Sequence, residues 1–148
     1  MGRVRKDSDE YYVLELVAEV IRESCLHGHT FEILVGDARS GRRARKLPVD
    51  GYFPGHRLVV EYHERQHTES VPIMDKRMTV SGVPRGEQRR RYDRRKRDWA
   101  ADNRLAYLAI PFGALEQGRR GRLERDKARD RATIASLLRR AGVLSPSD

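Results

Sequence analysis

An α/β fold, with a mixed central sheet of about four strands flanked by helices, is what this sequence predicts. Three observations predict it. Apolar residues near the N-terminus recur at helical spacing, three short runs suited to strands follow, and an arginine-rich helical segment separates the third run from a fourth. A helix between two strands of one sheet makes their connection a crossover, so the sheet is expected to be mixed. The expected order is helix, three strands, helix, strand, helix.

Each element has its own signals. Asp7 or Ser8 can cap a helix running to about Leu26, with Val13, Leu16, Val17, Val20 and Ile21 as its apolar stripe. Leu26-His-Gly-His29 ends it. His-x-His spacing can bind zinc, but no further ligands lie nearby in sequence, so His27 and His29 read as a helix terminus. Phe31-Glu-Ile-Leu-Val35 reads as the first strand, followed by a turn over residues 36–41. A basic stretch, Arg42 to Lys46, then enters the strand of Asp50. Phe53-Pro-Gly-His56-Arg57 reverses the chain into Leu58-Val-Val-Glu61-Tyr-His63, the third strand. Residues 68–86 carry two prolines and two glycines, too long for a hairpin and of a length that usually serves function. A second helix is expected over 86–103, a strand over 105–110 stopped by Pro111, and a basic helix over about 121–142 with Leu123, Ile134, Leu137 and Leu138 on its apolar side. The last four residues read as a frayed tail.

At 148 residues, 38% hydrophobic and 36% charged, the chain reads as one domain with a modest core and a highly charged surface. No run approaches the ~18 apolar residues of a membrane span, and the first residues lack the apolar stretch of a signal peptide. Cys25 is the single cysteine, which excludes an internal disulfide or a cysteine zinc site and suits a reducing cytoplasm. A formal charge of +9, carried mostly by arginine, favours a polyanionic partner, of which nucleic acid is the commonest. Arg85, Arg89, Arg90, Arg91, Arg94, Arg95, Lys96 and Arg97 wrap one helix and call for phosphate counterions. The C-terminal helix interleaves Glu124, Asp126 and Asp130 with its arginines, so it reads as a solvated, salt-bridged face. Trp99 and Tyr107 read as core aromatics.

The chemistry concentrates at Asp50 and Glu61. One acidic residue stands on the second strand and another closes the third. Two carboxylates on adjacent strands can share a hard divalent cation such as magnesium or manganese. The carbonyl of Tyr62 could be a further ligand. His63 lies two residues beyond Glu61, on the same side of the strand, where it could position or deprotonate water. Taken alone, Asp50 before Gly51 is an ordinary turn pair and Glu61 an ordinary strand end.

These residues resemble the PD-(D/E)XK, or restriction-endonuclease-like, nuclease superfamily. Pro48 and Asp50 correspond loosely to its PD element, with Val49 inserted; Glu61 and His63 correspond to the (D/E)XK element, with His63 where lysine is usual. The resemblance covers Glu19 to Ile110 and implies a restriction-endonuclease-like core, a metal-dependent DNA nuclease and a Mg²⁺ or Mn²⁺ cofactor. It also implies an acidic ligand from the first helix, Glu19, with Glu15 one turn earlier as the fallback. Gln88-Arg-Arg-Arg-Tyr92 resembles the Q-x-x-x-Y motif of the RecB-type exonuclease branch, which implies that Gln88 and Tyr92, with Arg89, Arg91 and Arg95, hold the nucleic-acid strand. A second alignment, through His67 and Asp93, resembles the very-short-patch-repair and homing-endonuclease branch. There a histidine and a later helix aspartate serve the site in place of lysine. Several branches work as dimers, so a homodimer is also in view. An endonuclease is the expectation. A nuclease fold that only binds DNA or RNA is the alternative. A basic structural protein of a nucleoprotein assembly is a third reading, one that predicts no acidic cluster.

Overall fold

The computed structural model describes residues 5–64 and 78–147. Helix α1 spans Asp9–Ile21 and is capped by Ser8, whose Oγ accepts the Tyr11 N–H at 3.1 Å. It stops before the expected position near Leu26. Arg22 turns into the left-handed region at φ 57°, and the following N–H, of Glu23, closes back on the Ala18 carbonyl.

Ending there releases Leu26–His29 to form β1, a strand where a helix terminus is expected. Phe31 to Val35, the expected first strand, is instead a turn from which only Val35 pairs, with Lys46. Strand propensity does not choose between two adjacent runs; pairing does. Leu26 and His29 pair with Tyr52 and Val49, and Phe31 folds over the sheet against Trp99, ring centroids 4.3 Å apart.

The remaining elements are β2 (Val49–Phe53), β3 (Leu58–His63), α2 (Arg85–Asp102), β4 (Ala106–Pro111) and α3 (Lys127–Arg140). Their bounds lie close to those expected, except that α3 starts later. Leu123 is buried outside it, in a bridge with Gln117 after a 3₁₀ turn at Arg119–Gly121. The sheet order is β1-β2-β3-β4, with the first three strands antiparallel and β4 parallel to β3. The helix-linked crossover thus gives the mixed four-stranded sheet the element order predicts. Among the described residues, no helix is long and apolar enough to cross a membrane.

Period-2 alternation gives the sheet two different faces. Leu58, Val60 and Tyr62 of β3, with Phe53 and Ile110, pack on one face against Leu14 and Val17 of α1 and Ile134 and Leu138 of α3. Val59, with Tyr52 and Tyr107, packs on the other face against Tyr92 and Trp99 of α2 and Leu34 and Leu47 of the intervening loop. Gly51 lets α1 approach: a Cβ there would lie 2.7 Å from Leu14 and 2.8 Å from Cys25. Tyr12 joins α1 to α3 by donating to buried Asp130 at 2.6 Å.

Glu23 anchors the far end of the hairpin. Its carboxylate accepts the N–H groups of Gly55 (2.6 Å) and His56 (3.0 Å) and meets His56 Nδ1 at 2.7 Å. Partial burial opposes ionisation, but these hydrogen bonds outweigh it and hold the carboxyl below its ordinary value. Glu23→Ala is expected to cost about 1–3 kcal/mol, read by urea unfolding at neutral pH. The wild-type advantage is full above the ordinary glutamate range and fades as pH falls through the depressed folded value.

Candidate active site

The register of the β2–β3 hairpin creates the site. Gly51 pairs with Val60 and Tyr52 with Val59, so the next facing positions toward the open end are Asp50 and Glu61. Regular pairing stops there, and the carboxylates replace the missing ladder bonds. Asp50 N–H donates to Glu61 Oε2 at 2.9 Å, and Tyr62 N–H donates to Asp50 Oδ2 at 2.8 Å. Facing residues of an antiparallel pair share a side of the sheet, so both carboxylates lie on the α2 side. Tyr62 turns its ring into the core on the opposite face.

Helix α2 brings a lysine to them. Lys96 Nζ lies 2.7 Å from Glu61 Oε1, with side chains 13% and 2% exposed. Burial works to discharge the ammonium, but Glu61, Asp50 and Asp93 outweigh it and hold Lys96 above the ordinary lysine value. It is therefore a fixed cation. Sequence reasoning counted Lys96 only within the basic run. The available signal was that it is the single lysine among those arginines, three residues after Asp93 and so on the same helix side. His63 reaches the same helix, with Nε2 3.9 Å from Asp93 Oδ2. Glu61 and His63 thus share a side, as alternation requires.

The acidic residue contributed by α1 is Glu10. Glu19 instead pairs with Lys127 (2.9 Å) and Arg131 (2.7 Å) of α3, and Glu15 pairs with His27. The reason is orientation. Glu23 ties the C-terminal end of α1 to the β2–β3 turn, so the N-terminal end, about 20 Å away along the 13-residue helix, reaches the open end of the hairpin where Asp50 lies. Glu10 shares a hydrogen bond with Asp50 there. Desolvation, then the charges of Glu61 and Glu10, push the Asp50 carboxyl well above its ordinary value. Glu10 is raised by desolvation and by Glu64 and Glu61, against the hydrogen bond to Asp50. Its position in the first helical turn, where acids are common, concealed it.

Gln88 and Tyr92 do not enter this centre. Gln88 Nε2 donates to Tyr92 Oη (3.2 Å) and Ser81 Oγ (3.1 Å), and Tyr92 Oη accepts the Asp37 N–H at 2.9 Å. Arg95 is spent on the Val35 carbonyl and Asp37, and Arg91 on Glu87; Arg89 is half-buried. Asp93, from the second alignment, is in the centre. His67 lies outside the described residues.

Asp50, Glu10 and Glu61 offer carboxylate oxygens, the donor type that a hard divalent cation takes. Asp50 and Glu10 crowd together beside Glu61, and both have raised proton affinity, which marks a local excess of negative charge. Among the described residues no three carboxylate, imidazole or thiol groups form a ready-made metal cluster.

No protein-family model, curated protein or solved structure matches this chain.

Proposed function

We propose that the protein is a magnesium- or manganese-dependent nuclease of DNA, with a PD-(D/E)XK-like core and endonuclease action. One observation carries this reading: two facing carboxylates at the splayed end of a hairpin, crowded by a third and touched by a buried lysine. When bound, a divalent cation supplies a Lewis acid for the scissile phosphate and lowers the pKa of an attacking water. Asp50, Glu10 and Glu61 hold that cation. Lys96 places a permanent positive charge beside the developing phosphate charge. His63, aligned toward Asp93, is the group placed to take the proton of water.

The alternative, a nuclease fold that only holds DNA or RNA, draws support from Glu61, whose two oxygens already meet Asp50 N–H and Lys96. Cleavage of labelled single-stranded, duplex and branched DNA decides between them. The wild type is expected to cut with magnesium or manganese and to stop with EDTA, and Asp50→Ala to be inactive with either metal. Tight, salt-sensitive binding by a wild type that never cuts would establish the alternative.

A further inference from the structure

A second charged feature lies outside the acidic centre. The loop between β1 and β2 is held at its base by Gly36 N–H to the Arg45 carbonyl (2.9 Å) and Leu47 N–H to the Leu34 carbonyl (2.8 Å). Its exposed part carries Arg39, Arg42, Arg43 and Arg45. Among the described residues none of these four side chains forms an ion pair, whereas Arg91, Arg95, Arg125, Arg129 and Arg131 all do.

The four arginines line a cavity of about 470 Å³ against Gln88 and Tyr92 of α2. A neighbouring cavity of about 570 Å³ shares Arg39, Val80 and Gln88 and adds Arg85. Together they form a groove with cationic walls and an apolar floor, where Met78 and Val80 are 65% and 42% exposed. Among the described residues the one carboxylate lining it is Asp37, whose charge Arg95 balances: hydrogen bonds from Ser81 and Arg95 hold it below its ordinary value. The Gln88–Tyr92–Ser81 network braces the wall, and a Cβ at Gly36 would strike Tyr92 Oη at 2.8 Å, so loop and helix are in close contact.

We infer that this groove binds backbone phosphates of the nucleic-acid strand flanking the scissile bond, with Arg39, Arg42, Arg43 and Arg45 as the anion ligands. The inference rests on the nuclease reading of the acidic centre. Unpaired arginines in a walled groove bind phosphate oxygens with forked donors, and the apolar floor suits sugars or bases. Spacing agrees. Tyr92 and Gln88 lie one and two turns from Lys96, about 6 and 12 Å along the axis. At about 3.4 Å per stacked nucleotide, the groove takes phosphates roughly two to four nucleotides from the centre.

The test compares two triple variants of the full chain in an Asp50→Asn background: Arg42→Ala/Arg43→Ala/Arg45→Ala in the loop, and Arg119→Ala/Arg120→Ala/Arg140→Ala on the surface elsewhere. All six side chains are exposed and without an ion pair among the described residues, and the charge removed is equal. Binding to labelled single-stranded and duplex oligonucleotides is measured against salt concentration. The loop triple is expected to lower affinity roughly 10–100-fold and to flatten the log–log salt slope by about 2–3, the control by less than about 1. Equal effects from the two triples, or none from the loop, would overturn the groove. So would a loop effect confined to phosphatidylserine vesicles. Wild-type cleavage alongside indifferent loop variants rejects the groove and keeps the nuclease; loop-specific binding by a chain that never cleaves rejects the nuclease and keeps the groove.

Discussion

Lys96→Met is expected to reduce metal-dependent cleavage by about 10²–10³-fold, the loss typical of removing one preorganised charge or donor at a reacting centre. The side chain is nearly isosteric, so the packing of α2 on the sheet persists while the ammonium 2.7 Å from Glu61 is lost. Glu61, only 2% exposed, is then buried without its counter-charge. Breaking one side of a buried pair costs about 3–5 kcal/mol. A divalent cation can replace the missing charge. Magnesium is therefore expected to raise the melting temperature of Lys96→Met more than that of the wild type, through preferential binding to the folded state. Single-turnover cleavage and melting curves with and without magnesium check both parts. A variant that cuts at the wild-type rate removes Lys96 from the centre.

Asp50→Asn is expected to abolish cleavage while stabilising the metal-free protein at neutral pH. Asparagine keeps a carbonyl oxygen for the Tyr62 N–H and removes a carboxylate crowded by Glu61 and Glu10. The sign follows from linkage. Asp50 holds its proton more tightly folded than unfolded, so the folded state binds more protons between the ordinary carboxyl value and the raised one. Wild-type stability therefore falls as pH climbs through that window and levels off above it. The variant lacks this contribution, and Glu10 loses a like-charged neighbour. The difference in melting temperature, variant minus wild type in EDTA, should grow from pH 5 to pH 8. Magnesium should then stabilise the wild type and leave Asp50→Asn nearly unmoved. A variant less stable than the wild type at pH 8 in EDTA would show that Asp50 serves the fold, not a cation.

The carboxylate pair was legible in the sequence because it depends on local rules. A short Pro-Gly reversal between Phe53 and Leu58 sets the hairpin register, and alternation then puts Asp50, Glu61 and His63 on one side. Lys96 was not legible in the same way. Eight basic residues cover α2 all round, and sequence periodicity cannot say which of them turns inward when no apolar stripe orients the helix. The contacts of Tyr92 and Trp99 with the sheet settle that rotation and carry Lys96 to Glu61. The basic loop was visible as composition, but that its arginines line one groove against Gln88 and Tyr92 of α2 was not.

The sequence by itself determined the α/β order, the crossover that makes the sheet mixed, the hairpin with its two carboxylates, and the excess of positive charge. The elements and the hairpin follow from residues near one another in the chain, the crossover from the order of those elements, and the charge from composition. Tertiary structure alone decided which run of residues became β1, and that Glu10, not Glu19, meets Asp50. It also decided that Lys96 of α2 meets Glu61. Those outcomes depend on how α1 and α2 are docked on the sheet. Docking is settled by side chains far apart in sequence: Glu23 on Gly55 and His56, Tyr12 on Asp130, and Trp99 on Phe31.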